Sequence, residues 1–105
     1  MKEKYELLIS IKAKEDLKSI VFYIKNNLKE PAIAKKYAKI IKEEIMSLSY
    51  FPQRNAIITE ESLKNLQIRK IVVKNYIIFY KVNEESSVVN IERILYGASN
   101  WIDEL

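Results

Sequence analysis

Residues 68–82, IRKIVVKNYIIFYKV, and residues 88–97, VVNIERILYG, decide the fold of this chain. Both stretches are rich in β-branched and aromatic residues, which favour β-strands. They predict three strands, at about Ile68–Val73, Tyr76–Val82 and Val88–Tyr96. The intervening turns are Lys74-Asn75 and residues 83–87, so consecutive strands are expected to pair as antiparallel hairpins.

The sequence before residue 68 predicts one more strand and two helices. Residues 5–11 alternate enough to form a strand, and a helix starts at or just after Ser10. This helix is expected to end near Leu28, and Pro31 suits the first turn of a second helix that Pro52 stops. Apolar residues recur at helical spacing in both: Ala13, Leu17, Ile20, Val21, Ile24 and Leu28, then Ile33, Tyr37, Ile40, Ile41, Ile45 and Leu48.

The order β-α-α-β-β-β predicts a single α+β domain spanning residues 1–105, with a helical hairpin packed on a small, mainly antiparallel sheet. The first strand is expected beside a later strand. Residues 53–67 are polar and weakly patterned, so a long loop is predicted there. Residues 99–105 are expected to add a short helical turn. The sheet face away from the helices is predicted to be concave or open and to carry the site.

Two residue types are missing, and their absence excludes whole classes of chemistry. The chain has no cysteine and no histidine. Disulfides, thiolate metal sites and Ser/His or Cys/His nucleophiles are therefore excluded. Acidic residues occur singly or as neighbours such as Glu43-Glu44, which do not face a common point on a helix. Neither a metal site nor a cofactor is expected.

The charge balance is mildly basic, with a net charge of +4 and a pI near 9.2. It suits RNA, DNA or an acidic protein as partner. Arg54, Arg69 and Arg93 are the three arginines, and their planar guanidinium groups bind phosphate well. No apolar run approaches the roughly 18 residues that a membrane span needs, and the N-terminus lacks a signal core. We expect a cytoplasmic protein that makes no membrane contact.

Several side chains have both a structural and a functional interpretation. Arg69 and Lys70 point to opposite faces of one strand, so only one of them faces the helices. Arg93 alternates with Ile91 and Leu95: it is either paired with an acid, for example on the first helix, or it is an open site residue. Tyr80 and Tyr96 either pack in the protein or present a phenol to a phosphate. Arg54 is either structural or a target contact. The lysines at 35, 36, 39 and 42 form either a solvated helix face or a surface that docks nucleic acid.

Three motifs in this order resemble the RelE/ParE toxin superfamily. They are Leu48-Ser49-Tyr50-Phe51-Pro52, the strand pair Arg69-Lys70 with Asn75-Tyr76-Ile77-Ile78-Phe79-Tyr80, and the closing Arg93-Ile94-Leu95-Tyr96-Gly97. The resemblance implies the toxin of a type II toxin–antitoxin system, which inhibits growth and stabilises plasmids. It also implies a cognate antitoxin protein whose acidic or amphipathic segment wraps the toxin, with operator DNA bound only through that antitoxin.

Members of the superfamily differ in target, and two mechanisms follow from the resemblance. RelE-like members cut mRNA on the ribosome, which here would make Lys70, Arg69, Arg93 and Tyr96 catalytic candidates. ParE-like members inhibit DNA gyrase and need only a binding surface. Ile77 stands where the nucleases commonly have a basic residue, so the ParE-like mechanism is preferred. A non-toxic interaction domain is a third alternative. The target-binding candidates are Arg54, Arg69, Lys70, Lys74, Arg93 and Tyr96.

Overall fold

The computed structural model describes residues 4–105 and confirms the predicted α+β fold. Residues 1–3, which begin the predicted domain and its N-terminal stretch, lie outside the described part. The strands are β1 (Glu6–Ile9), β2 (Arg69–Val73), β3 (Tyr76–Asn83) and β4 (Val88–Tyr96). The helices are α1 (Ile11–Phe22), α2 (Pro31–Ser47) and α3 (Trp101–Glu104), with a π-helical turn at Tyr23–Asn27.

The four strands form one mixed sheet in the order β1-β4-β3-β2. β1 runs parallel to β4, whereas β2–β3 and β3–β4 are antiparallel hairpins, as the short turns predict. A register shift between Phe79 and Tyr80 interrupts the β3–β4 ladder. β1 and β2 are therefore the two edges, and Arg69 and Lys70 lie on an edge strand.

The start of α1 is fixed by Ser10. The Ser10 hydroxyl accepts a hydrogen bond from the amide of Ala13 at 2.9 Å and donates one to the carbonyl of Glu92 at 2.8 Å. The first bond caps the helix and the second ties the cap to β4. Pro31 occupies the first turn of α2, where its missing N–H costs nothing.

The main core lies between the helical hairpin and one face of the sheet. Apolar residues at the predicted helical positions pack here against alternate residues of the central strands. The fully buried members include Ala13, Ile41, Leu48, Ile78, Tyr80, Val89 and Ile91. Most positions of the two apolar stripes are thus confirmed as core positions, whereas the prediction is wrong for Leu28 and Ile33, which lie at the helix ends and are exposed.

The opposite sheet face is covered, so the prediction of an open face is wrong. Ile77 and Phe79 of β3 are buried there under Ile58 and Leu63. Both of these residues belong to the stretch predicted as a polar loop. Residues 76–80 of β3 are buried on both faces, and they are accordingly apolar or aromatic without alternation. The C-terminal residues Trp101, Ile102 and Leu105 complete this second core.

Within residues 4–105, no helix is both long enough and apolar enough to cross a membrane.

Candidate functional site

Arg54 lies at the C-terminal end of α2. Its guanidinium donates hydrogen bonds to the carbonyl of Tyr50 at 3.0 Å, to the carbonyl of Ser47 at 3.3 Å and to the Ser47 hydroxyl at 2.8 Å. Helix ends leave carbonyl groups without partners, and a cation stabilises them. The structure therefore gives Arg54 a helix-capping role, the structural alternative for this residue.

Arg69 holds the segment that follows Pro52. It donates to the carbonyl oxygens of Asn55 at 2.6 Å and Gln53 at 3.2 Å. Tyr80 reinforces the same segment, because its hydroxyl donates to the Pro52 carbonyl at 2.7 Å and accepts from the Asn55 amide at 3.0 Å. Burial raises the pKa of Tyr80, and the hydrogen bond from Asn55 partly opposes that rise.

Arg93 forms an ion pair with Asp16 of the first helix, which is one of the two predicted alternatives. Its Nε and Nη2 atoms lie 2.8 and 2.9 Å from the two carboxylate oxygens, and the amide of Ile94 donates to the same carboxylate at 2.9 Å. Both side chains are mostly buried, with 17% and 13% exposed. The hydrogen bonds to Asp16 raise the pKa of Arg93 further, so it remains charged. Arg93 also donates to the carbonyl of Glu104 at 3.3 Å, which joins α1, β4 and α3.

Lys70 faces the second core, whereas Arg69 faces the helix side, so the predicted opposition of their side chains is confirmed. The Lys70 amine lies 4.8 Å from the centre of the Trp101 ring. Trp101 in turn packs on Phe79, with ring centres 5.2 Å apart. Lys70 is exposed at its tip and fixes α3 by a cation–π contact.

Lys74 and Tyr96 come together at the end of the sheet. They line a shallow pocket of about 450 Å³ with Asn75 and Gly97. The Gly97 amide donates to the Asn75 carbonyl at 2.8 Å, and a Cβ at Gly97 would lie only 3.2 Å from that oxygen. The close approach explains glycine at this position. Lys74 has a φ of 56°, a left-handed conformation that lysine rarely adopts.

A group of tyrosines surrounds Tyr96, and we call it the tyrosine end. The ring of Tyr96 lies 5.8 Å from that of Tyr76, which lies 6.3 Å from Tyr37 in an edge-to-face arrangement. Burial raises the pKa of Tyr76, and the neighbouring phenols of Tyr37, Tyr96 and Tyr23 raise it further. The ring contacts join Tyr37, Tyr76 and Tyr96, and Tyr23 belongs to the group through its electrostatic effect on Tyr76. Sequence reasoning singled out Tyr96 alone, because the cluster joins residues from four separate segments.

A large apolar groove was not predicted from the sequence. It has a volume of about 1030 Å³ and runs between α1, α2 and the edge strand β1. Phe22 and Met46 on its walls are 63% and 68% exposed. Four lysines line it together with the apolar residues, at positions 14, 18, 25 and 42. The four-residue spacing of Lys14 and Lys18 beside the apolar stripe is the signal that could have found it.

The three arginines bond to groups within the protein. Arg54 and Arg69 hold the segment from Ser47 to Asn55 beside Tyr80, and Arg93 is paired with Asp16. General acid–base catalysis needs the acid, the base and the stabilising cation within hydrogen-bond reach of one reacting group. Among residues 4–105, no three acidic side chains converge as metal ligands either.

Comparison with known families identifies the chain. Residues 7–101 match the sequence model of a family described as the ParE toxin of the type II toxin–antitoxin system parDE. The chain belongs to the ParE toxin family. This ParE-family protein is therefore a toxin of the RelE/ParE type, as the three motifs indicated.

Solved structures show the same fold. A chain of the chromosomal ParDE system from P. aeruginosa has a TM-score of 0.72 at 21% identity, covering 89% of this chain and 96% of the other. The RelBE2 complex from Mycobacterium tuberculosis gives 0.63 at 20% identity, with 89% and 98% covered. A mutant of the E. coli toxin RelE in the free state gives 0.66 at 13% identity, with 96% and 92% covered. No curated protein matches the chain significantly.

Proposed function

We propose that this ParE-family toxin inhibits DNA gyrase by binding it, and that a cognate antitoxin keeps the toxin inactive. The internal bonding of the arginines carries the proposal. Arg54 and Arg69 are bonded to the segment from Ser47 to Asn55 and Arg93 is bonded to Asp16, so their guanidinium groups are already engaged and do not line a cleft for RNA cleavage. A binding mechanism needs no such cleft, and the family match supports the same mechanism. Gyrase is a cytoplasmic enzyme, so we place the toxin there.

The six predicted target-binding residues divide into two groups under this proposal. Lys70, Lys74 and Tyr96 are exposed, and we assign to them direct contact with the target. Arg54, Arg69 and Arg93 act by holding the segments that shape the surface. Removal of an exposed contact should weaken inhibition without unfolding the protein. Removal of an arginine should lower the free energy of unfolding as well.

The groove between α1, α2 and β1 is our proposed antitoxin site. An amphipathic helix places one apolar face in such a groove. Four lysines and no acidic residue line it, so the matching segment should carry acidic residues on its flanks. Solved structures with this fold include toxin–antitoxin complexes, which supports a partner of this kind. Operator DNA would be bound only through that antitoxin.

Two assays run side by side test the mechanism. Purified toxin is added to a gyrase supercoiling reaction, and ribosome-bound mRNA is mapped by primer extension after a short pulse of expression. We expect lost supercoiling and intact mRNA, with Tyr96→Ala and Lys74→Ala weakening the inhibition. Lys39→Ala, an exposed lysine on α2, is the matched control. Active gyrase together with cuts in phase with codons would overturn the proposal.

Ribosome-dependent mRNA cleavage is the second candidate. Lys70 occupies a basic position of the nuclease branch, and the residue is exposed in the structure. Codon-phased cuts that Lys70→Ala abolishes would favour this activity. A third alternative, a non-toxic interaction domain, predicts normal growth even at high expression without an antitoxin.

A further inference from the structure

We propose that the tyrosine end, formed by Tyr23, Tyr37, Tyr76 and Tyr96 beside Lys74, binds single-stranded nucleic acid through its unpaired bases. This activity goes beyond the proposed binding of gyrase and does not include cleavage. Proteins that hold single strands without sequence preference combine aromatic rings, on which bases stack, with cations that contact phosphate. Tyr96 links the two components here, because it contacts the Tyr76 ring and also lines the pocket that contains Lys74.

The exposed rings supply the stacking surface. Tyr23 and Tyr96 are 50% and 51% exposed, although phenol rings bury well. Tyr76 is only 8% exposed and forms the base of the cluster. Its contacts with Tyr37 and Tyr96 fix the position of the outer ring. A base that stacks on Tyr96 would therefore meet an ordered aromatic face rather than a freely rotating side chain.

The phenol hydroxyls and Lys74 supply groups for phosphate. Among residues 4–105, no hydrogen bond joins any of these four hydroxyls to another protein group, and no buried side-chain polar atom lacks a partner. The Tyr76 hydroxyl thus reaches solvent. Lys74 is exposed, and the pocket that it shares with Tyr96 contains no acidic residue. A phosphate at this point would meet donors and a cation without repulsion from the pocket.

Two unusual backbone conformations present these side chains. Tyr23 opens the π-helical turn that ends α1, in which the Leu28 amide bonds to the Tyr23 carbonyl at 3.1 Å. Lys74 stands in the left-handed region although Asn75, which tolerates that region better, is the next residue. π-turns and left-handed non-glycine residues occur often at functional sites. One of these conformations lies at Tyr23 and the other at Lys74, which shares a pocket with Tyr96.

Fluorescence anisotropy with an end-labelled oligothymidine of about 12 nucleotides tests the proposal. We expect saturable binding that weakens with salt, and no binding preference for a duplex of equal length. Tyr96→Ala should weaken binding about tenfold, whereas Tyr96→Phe keeps the ring and should bind within about twofold of the parent. Lys74→Gly removes the cation in a conformation that glycine adopts freely, and should reduce the salt dependence. Lys39→Ala is the control and should change nothing.

Oligouridine of the same length identifies the source of the strand. Tighter binding of the ribose form would point to RNA and tighter binding of the deoxyribose form to DNA; both results support the proposal. Absence of saturable binding, preference for duplex, or equal losses in Tyr96→Ala and Tyr96→Phe would overturn it. An acidic peptide could also compete with the oligonucleotide. If Tyr96→Ala weakened the binding of that peptide as much as it weakened oligonucleotide binding, the surface would be a protein site and the proposal would be overturned.

The outcome is separable from that of the proposed function. Inhibition of supercoiling by a toxin that binds no oligonucleotide leaves the gyrase proposal intact and overturns this one. Oligonucleotide binding by a toxin that leaves gyrase active supports this proposal and overturns the gyrase proposal.

Discussion

Asp16 contributes the carboxylate on which the position of Arg93 depends. It accepts two guanidinium hydrogen bonds and one from the Ile94 amide, so its loss leaves a mostly buried cation with only its contacts to Glu104 and removes the partner of the Ile94 amide. We expect Asp16→Ala to lower the free energy of unfolding by about 3 kcal/mol. In a double-mutant cycle with Arg93→Ala, measured by urea unfolding, the double variant should lose less than the sum of the single losses. Additive losses would show that the pair contributes no coupling energy.

Lys74 is the residue at which stability and surface chemistry conflict. Its left-handed backbone disfavours a side chain with a Cβ, and glycine adopts that conformation without strain. Lys74→Gly should therefore raise the free energy of unfolding by about 0.5–1 kcal/mol. The matched control is Lys81→Gly in β3, where φ is negative and glycine should destabilise the strand by a similar amount. A lower midpoint in urea for Lys74→Gly would contradict this account.

Trp101 fixes the short helix α3 on the second core. Its ring packs on Phe79 and carries the Lys70 amine above it, so truncation uncovers apolar surface of β3. We expect Trp101→Ala to cost about 2–3 kcal/mol of unfolding free energy, less than for a fully buried tryptophan because the ring is partly exposed. Circular dichroism in urea measures this loss. Lys70→Met, which removes only the cation–π contact, should lower the free energy of unfolding by about 0.5 kcal/mol. Equal losses in Trp101→Ala and Lys70→Met would contradict the packing role of Trp101.

The exposed wall of α1 gives the prediction for the antitoxin. Lys14 and Lys18 line the groove, and both are exposed, so their replacement leaves the fold intact. We expect the double charge reversal Lys14→Glu and Lys18→Glu to weaken binding of the cognate antitoxin at least tenfold at low salt, and less at high salt. Titration calorimetry measures the affinity, with Lys35→Glu and Lys39→Glu on α2 as control. Equal effects of the two pairs would place the antitoxin elsewhere.

The elements themselves could be predicted because each carries a local periodic pattern. Strands β2 to β4 and helices α1 and α2 match the predicted spans within a few residues. The cover of the second face could not be predicted, since Ile58 and Leu63 stand alone in a polar segment and become buried only when it folds over β3. The π-turn at Tyr23–Asn27 and the groove also depend on how α1 meets α2, which periodicity does not specify. For Arg93 the alternation left two alternatives open, and the distant partner Asp16 decided between them.

At the scale of the whole molecule, the groove, the tyrosine end and the second core differ in composition and position. The groove combines apolar walls with lysines, the tyrosine end combines phenols with Lys74, and the second core is closed by α3. The groove and the tyrosine end share no lining residue. An antitoxin segment in the groove would thus leave Tyr37, Tyr76 and Tyr96 uncovered. Under our proposals the antitoxin must neutralise the toxin in one of two ways. Either its chain extends beyond the groove to the tyrosine end, or its binding in the groove alters α1.

Stability at high pH reports on packing across the molecule, because two buried phenols lie between its parts. Tyr76 of the sheet contacts Tyr37 of α2, and Tyr80 bonds to the loop at Pro52. The pKa values of Tyr76 and Tyr80 are both raised above the ordinary 10.0, chiefly by burial. The neutral phenols therefore contribute stability that is fully present below pH 10 and is lost as the pH rises through the folded-state pKa values. Arg93, whose pKa is also raised, keeps its charge over this range and adds no loss of its own.

We accordingly expect the free energy of unfolding to fall as the pH rises above about 10, measured in urea at constant ionic strength. Tyr76→Phe removes one titrating phenol without breaking a hydrogen bond among residues 4–105, so it should match the parent at neutral pH and fall less steeply above pH 10. Tyr80→Phe should lose about 1 kcal/mol at neutral pH, because the Pro52 carbonyl loses its donor, and should also fall less steeply. Identical alkaline slopes in all three proteins would mean that the ionisation of these phenols is not coupled to folding.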